Sequence, residues 1–337
     1  MKKSYISILI IVFLLIILTS CKGCVFVDSD YVSEIDDPTQ LSTDLQYINF
    51  FLYKNIDGGS IVSIQSLDLM TVQTYSDFDF FSHVDVSPDG SAIIFLQSVE
   101  RHDITSVWLY YVDLNNNRKY KIAGWDEDRL EVSLRSPGFS FDGNKIYFSI
   151  TWYEKRKNNI GIVDNNGKNL RIINPETNIS LGPEPSPDGS VIIVTCEGKN
   201  TRTGLPGFQL CLLDRDGKFI KYLTDQGNVH GTPSFSPNGK MIAYSEHDTG
   251  GILGILKPPI DSFCILDVGT GERTLLLNWD VAVEGFSDES STILFQGRPD
   301  KNSPWELYLI NVDGTNLRHL TYFDEFLEDW YADIEDY

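Results

Sequence analysis

From about Asp44 onward, short runs of alternating or continuous apolar residues are broken every few positions by turn residues, and no stretch shows the three-to-four spacing of a helix. The most regular breaks are five turn cores: "VSPDGS" at Ser87, "FSFDGN" at Ser140, "PSPDGS" at Ser186, "FSPNGK" at Ser236 and "FSDESS" at Ser287. They lie 53, 46, 50 and 51 residues apart. Each is followed by a β-branched and aromatic run, namely "AIIFLQS", "KIYFSIT", "VIIVTCE", "MIAYSEH" and "TILFQGR". After a variable loop comes a second run ("VWLYYVD", "NIGIVD", "QLCLLD", "FCILD", "LYLINVD") and then a third ("RKYKIAG", "LRIINP", "FIKYLTD", "RTLLLN", "LRHLTY"). With the short strand ahead of each serine, every unit holds four strands in about 50 residues, which is the period of a β-propeller blade.

The turn itself has a mechanism. Proline presets φ at the first turn position, Asp tolerates the second, and Gly accepts the left-handed conformation that follows. Phe141 replaces the proline in the second turn and Ser290 the glycine in the fifth, so those two turns are expected to be looser. Upstream, "QYINFFLYKN", "SIVSIQSLDL" and "TVQTYSD" supply three strands without an innermost one, and "DWYADIEDY" near the C-terminus supplies one strand without a blade. Joining the two gives an all-β fold of six four-stranded antiparallel blades. Its ring closes when about Trp330 to Ile334 enters the N-terminal blade, leaving only short, protected edges.

The turn cores and "YLINVDGTNLRHLT" (Tyr308 to Thr321) resemble the WD40-like propeller repeats of the TolB family. The likeness covers about Asp44 to the end and implies an envelope protein whose propeller is a docking surface for other proteins. The α/β domain that precedes the TolB propeller has no counterpart in the two dozen residues between Cys21 and the first strands. Related propellers occur in sugar lyases and serine peptidases.

The N-terminus speaks to location. Lys2 and Lys3 precede "ISILIIVFLLIIL", an apolar core shorter than a membrane span needs, followed by "LTSC". That ending resembles the bacterial lipobox, which assigns residues 1–20 to a lipoprotein signal and makes Cys21 the lipid-bearing residue. Several acyl chains there would hold the mature protein stably on a membrane, outside the cytoplasm; where the cell has an outer membrane, Lys22 carries no retention signal for the inner one. Residues 21–43 are acidic and polar apart from Val25 to Val27. They read as an extended tether, with an extra edge strand docked on the domain as the alternative, leaving residues 44–337 to the propeller.

Charge narrows the partners. The chain has 27 basic and 48 acidic residues; losing Lys2 and Lys3 leaves 25 against 48, a net charge of −23. Nucleic acid is excluded as an expected partner, and the protein is expected to remain monomeric.

Five cysteines are too few for a disulfide scaffold. Cys196 and Cys211 flank "EGKNTRTGLPGFQL" as the two arms of a hairpin would, so a cross-strand disulfide and a pair of small buried core residues are both open readings. No GxSxG, HExxH, paired CxxC or GxxxxGK[ST] motif occurs, and no cofactor or metal is expected. Of the five histidines, His83, His102, His230 and His247 fall near strand ends on one face; solvated loop residues are the favoured reading, with convergence on a metal as the alternative. "VDNNGKN", "LDRDGK" and "NVDGTN" lack the acidic ligands of a calcium loop and read as hairpin turns.

Loops between second and third strands share a face with the links between blades, and such loops usually carry function. They gather Lys155, Arg156, Lys157, Lys199, Arg202, Arg298 and Lys301, a basic rim on an acidic body. Trp125, Trp152 and Trp279 stand near the same face, either as partner-binding hot spots or as packing between blades. The expected function is therefore a non-enzymatic, lipid-anchored envelope propeller that binds another protein through its loop face. The alternative is an enzyme or receptor that handles a glycan or peptide in the axial channel.

Overall fold

The computed structural model describes residues 24–25, 48–53, 59–66, 69–75 and, with short breaks, 82–320. Within them lie five sheets of four antiparallel strands, each built in chain order from its innermost to its outermost strand. Blade I comprises β5 (Ser82–Val86), β6 (Ala92–Arg101), β7 (Ile104–Asp113) and β8 (Arg118–Glu127). Blade II comprises β9 (Val132–Phe139), β10 (Lys145–Trp152), β11 (Lys157–Asp164) and β12 (Arg171–Ile173). Blade III comprises β13 (Ile179–Pro185), β14 (Val191–Lys199), β15 (Pro206–Asp214) and β16 (Phe219–Tyr222). Blade IV comprises β17 (Asn228–Phe235), β18 (Met241–Asp248), β19 (Ile260–Asp267) and β20 (Arg273–Leu277). Blade V comprises β21 (Asp280–Phe286), β22 (Thr292–Arg298), β23 (Glu306–Asn311) and β24 (Arg318–His319).

The expected count of six such blades is corrected to five. The remaining sheet has three antiparallel strands, β2 (Ile48–Tyr53), β3 (Gly59–Ser66) and β4 (Leu69–Tyr75). Its fourth strand is the two-residue β1 (Cys24–Val25), which runs parallel to β2 and pairs Cys24 with Phe51 and Val25 with Leu52. The innermost position of that sheet is therefore taken from the stretch read as a tether, in the opposite sense to the other innermost strands. The closing segment expected at Trp330 to Ile334, like the signal residues 1–20 and the lipid-bearing Cys21, lies outside the described residues. The inner strands β5, β9, β13, β17 and β21 stand side by side in that order, and β2 lies beside both β5 and β21.

Burial follows from this geometry, because each blade is apolar on both faces and packs against its neighbours. Ile94, Leu109, Leu134, Phe148 and Val163 fill the seam between blades I and II. Ile162, Ile192, Val194 and Leu213 fill that between II and III. Leu210, Leu212, Phe235 and Tyr244 fill III to IV, and Phe263, Val283, Phe295 and Tyr308 fill IV to V. The register of the innermost strand against the second slips once in blades I, II, IV and V and twice in blade III, between Ile179 and Leu181 and between Leu181 and Glu184, as at β-bulges.

The turn serines prove to be structural. The Ser87 hydroxyl donates to Asp89 Oδ1 at 2.7 Å and accepts from the Ala92 amide at 2.9 Å, while the Gly90 amide donates to the Ser87 carbonyl at 2.8 Å. Ser140, Ser186 and Ser236 repeat the arrangement with Asp142, Asp188 and Asn238. The two turns expected to be looser are not. Gly143 and Ser290 donate to Ser140 and Ser287 at 2.8 Å, the distance found in the consensus turn, and Ser290 adopts the left-handed conformation at φ 60°.

These turns also touch one another around the ring. A side chain at Gly143 would meet Pro88 at 3.6 Å, one at Gly239 would meet Pro187 at 3.6 Å, and the Asn238 amide donates to Ser290 Oγ at 3.2 Å. Between blades II and III the series breaks. Phe141 packs into the III–IV core, and nothing lies within 4 Å of the Cβ position of Gly189.

Candidate functional site

Strand direction sorts the loops onto two faces. Hairpins centred on the turn serines and on Asp113, Asp164, Asp214, Asp267 and Asp313 share one; the links between second and third strands, and from blade to blade, share the other. On the turn face Asp89, Asp113, Asp142, Asp188, Asp267 and Asp313 are hydrogen-bonded within their own loops, while Asp216 accepts from Arg171 of blade II at 2.8 Å. Asp188 illustrates the local case: hydrogen bonds from the Ser186 hydroxyl, then from the Ser190 amide and hydroxyl, pull its pKa down to about 2.

The loop face is more open, and it separates the basic-rim residues by their surroundings. Lys157 and Lys199 are exposed. Arg298 is not a free cation: its Nη2 and Nε donate to Asp280 Oδ2 at 2.7 and 3.1 Å, and its guanidinium lies 5.0 Å from the Trp305 ring centroid. Lys155, Arg156, Arg202 and Lys301 lie outside the described residues.

The tryptophans sit half-buried at seams. Trp125 and Trp152 meet edge to face at 5.9 Å across blades I and II, and Trp279 stacks edge-on against Tyr308 at 5.1 Å. Near them Arg135 donates to the Tyr153 hydroxyl at 3.4 Å, and Tyr153 is an exposed large aromatic.

Between blades III and IV the loop face opens into a groove of about 550 Å³, lined by Glu197, Gly198, Pro206, Gly207, Phe208, Asn228, Val229 and His247. Hairpin register builds it. Glu197 pairs with Phe208, and Gly198 with Gly207, so an aromatic and a carboxylate stand together beside a glycine floor. Phe208 is 40% exposed, unusual for a phenylalanine in a sheet. On the opposite wall the Asn228 side-chain oxygen accepts from the Phe208 amide at 3.1 Å, and His247 Nδ1 lies 2.6 Å from Asp261 Oδ1. Sequence reasoning placed His247 on this face but singled out neither Phe208 nor Glu197.

Beneath the groove lie buried polar groups. Arg273 reaches from the outermost strand of blade IV to the buried Glu246 carboxylate at 2.5 Å. Burial pushes the Cys264 thiol up to about 12 and raises the Tyr244 hydroxyl further. Cys196 and Cys211, both buried, are joined as a disulfide with their Cα atoms 6.0 Å apart. They are diagonal neighbours across the hairpin, since Cys196 faces Gln209 and Cys211 faces Val194. Among the described residues no group of three His, Cys, Asp or Glu side chains is placed to hold a metal ion.

A ring of four-stranded antiparallel blades, with tight turns on one face and an open groove on the other, places the chain in the class of β-propellers. Within that class the propeller is TolB-like. The chain is 30% identical over 125 residues to a TolB homologue of Chlorobaculum tepidum, covering 36% of this chain and 25% of that protein. A shorter match, 43% over 42 residues, covers 12% of this chain and 10% of the Tol-Pal system protein TolB of Roseobacter denitrificans. The chain thus spans a quarter or less of the curated relatives it matches. The crystal structure of TolB from Acinetobacter baumannii superposes with a TM-score of 0.59 at 20% identity, over 82% of this chain and 64% of that one. No family model matches the chain.

Proposed function

We propose that this protein is a docking module of the bacterial cell envelope, a monomeric propeller without catalysis or cofactor that binds another envelope protein through its loop face. Lipids on Cys21 hold it to a membrane in this reading. The observation that carries it is the groove between blades III and IV: an accessible, largely apolar depression on a rigid scaffold, with an exposed phenylalanine in its wall. Similarity to TolB proteins, one of them by name a Tol-Pal system component, supports a role in protein interaction at the envelope.

The test is crosslinking in intact cells followed by identification of what copurifies, repeated with Arg156 and Lys157 reversed to Glu. A specific protein partner lost on reversal supports the docking face and its basic rim. Recovery of a glycan or small molecule in place of a protein refutes the reading. Anchoring is checked separately by the mass of the mature N-terminus, which must carry acyl chains on Cys21, and by release of Cys21→Ala into the soluble fraction.

A further inference from the structure

The five blades supply an internal comparison at one repeat position. Eleven residues after the turn serine stands Ser98 in blade I, Thr151 in blade II, Glu197 in blade III, His247 in blade IV and Arg298 in blade V. In blade V this position completes a three-part cluster. The guanidinium of Arg298 is clamped between the Asp280 carboxylate and the face of Trp305, which stands one step beyond the registered pair Gly297–Glu306. In blade IV the imidazole of His247 is matched by Asp261.

Blade III has two of the three parts. Phe208 stands across from Glu197 as Trp305 stands across from Arg298, and Glu197 supplies the carboxylate. The described hydrogen bonds of Glu197 run through its backbone, the amide to the Asn178 carbonyl and the carbonyl from the Tyr222 hydroxyl. Among the described residues its carboxylate has no cation. Lys199, two residues on, arches over the hairpin with Cε 3.9 Å from the Cβ position of Gly204 and does not line the groove.

We infer that the groove between blades III and IV seats an arginine side chain of the partner protein, with its guanidinium held by Phe208 and Glu197. The inference rests on the docking function proposed above and names the chemistry of its occupant. Arginine fits on three counts. Its planar head stacks on an aromatic face while donating two parallel bonds to a carboxylate, which a lysine ammonium cannot do. Its aliphatic stem matches the apolar floor of Gly198, Gly207 and Val229. Its charge complements the Glu197 carboxylate, which has no counter-charge among the described residues. A neutral sugar fits less well, because Asn228 and His247, the other polar groups in the wall, are already engaged with Phe208 and Asp261.

The test places the photo-crosslinker p-benzoylphenylalanine at Pro206, on the exposed rim of the groove, and separately at Tyr153, elsewhere on the loop face. Both are irradiated in intact cells and the adducts mapped by mass spectrometry. Adducts from position 206 are expected within three residues of an arginine, and their yield is expected to fall about tenfold with Glu197→Arg and severalfold with Glu197→Gln at unchanged melting temperature. Capture from 153 with none from 206 overturns the arginine seat and leaves the docking function standing. Adducts at 206 on a glycan, on a segment without arginine, or indifferent to Glu197→Arg also overturn the seat. Silence from both positions sinks both.

Discussion

Replacing Gly161 by alanine tests the packing of the seam between blades I and II. Gly161 pairs directly with Phe148 across β10 and β11, and a Cβ added to it would lie 2.3, 2.4 and 2.8 Å from three atoms of the Phe148 ring. Carbon atoms pack at about 3.5–4.0 Å, so the ring must move by about 1 Å or more. Phe148 is fully buried among Ile94, Leu109, Leu134 and Ile150. Blades I and V show the alternative arrangement: there a tyrosine holds the glycine's position, and the rings of Phe95–Tyr110 and Phe295–Tyr308 stack at 5.3 and 5.6 Å. Forcing a methyl group into a filled core costs about 1–3 kcal/mol, and removing a glycine from a strand returns about 0.5–1 kcal/mol. With three contacts this far inside van der Waals separation the upper half of the overpacking range applies, about 2–3 kcal/mol, so the expected net loss for Gly161→Ala is about 1–2.5 kcal/mol. Urea unfolding followed by tryptophan fluorescence reads it, since Trp125 and Trp152 pack against the same cluster. Shrinking the ring makes room, so Gly161→Ala in a Phe148→Leu background should cost at least about 0.5 kcal/mol less than in the parent. A neutral single variant, or strictly additive losses, refutes the steric account.

Three further outcomes are expected. Without reductant Cys196 and Cys211 should resist alkylation even after unfolding, and replacing both by alanine should cost up to about 3 kcal/mol for a cross-link of sequence separation 15; two freely alkylated thiols in the unfolded, unreduced protein would count against the bond. The Cys264 thiol, raised to about 12 by burial, should stay unmodified by iodoacetamide at pH 8 in the folded protein and react once urea unfolds it; rapid native labelling would contradict its burial. The folded pKa of Asp188 is depressed, so its stabilisation is complete above the unfolded carboxylate value and is lost as pH falls from about 4 to about 2. Ser186→Ala removes the largest cause and should raise that pKa in a carboxyl-detected NMR titration, and an Asp188 that titrates at its ordinary value in the parent would refute the turn geometry.

The blades were readable because their turns demand particular residues at fixed positions: a serine and a left-handed residue recur about every 50 positions, with an Asp or Asn between them in four turns and Glu289 in the fifth. What the turn serine does was not readable, since its hydroxyl acts on an amide five residues away that only the closed hairpin brings near. The blade count failed for a comparable reason. A short apolar patch in a polar stretch looks like a tether until β1 is seen pairing with β2, and pairing sense leaves no mark on a two-residue strand. Arg298 read as a free rim charge because Asp280 and Trp305 approach it from other strands. Phe208 and Glu197 were hidden by the hairpin between them, whose register decides which residues face each other. The repeat position shared by Glu197, His247 and Arg298 was visible, and comparing charges there from unit to unit would have pointed to the groove.

The contacts between neighbouring turns bear on how the ring tolerates insult. Where Pro88 leans on Gly143 and Pro187 on Gly239, lengthening one hairpin displaces the next, so an insertion there is felt in two blades at once. The Ser186 to Gly189 hairpin is open only on its blade II side, where nothing lies near Gly189, while its Pro187 still abuts Gly239 of blade IV. A disturbance entering the ring at that hairpin should therefore pass toward blade IV and stop short of blade II, which gives the chain of turn contacts a defined end.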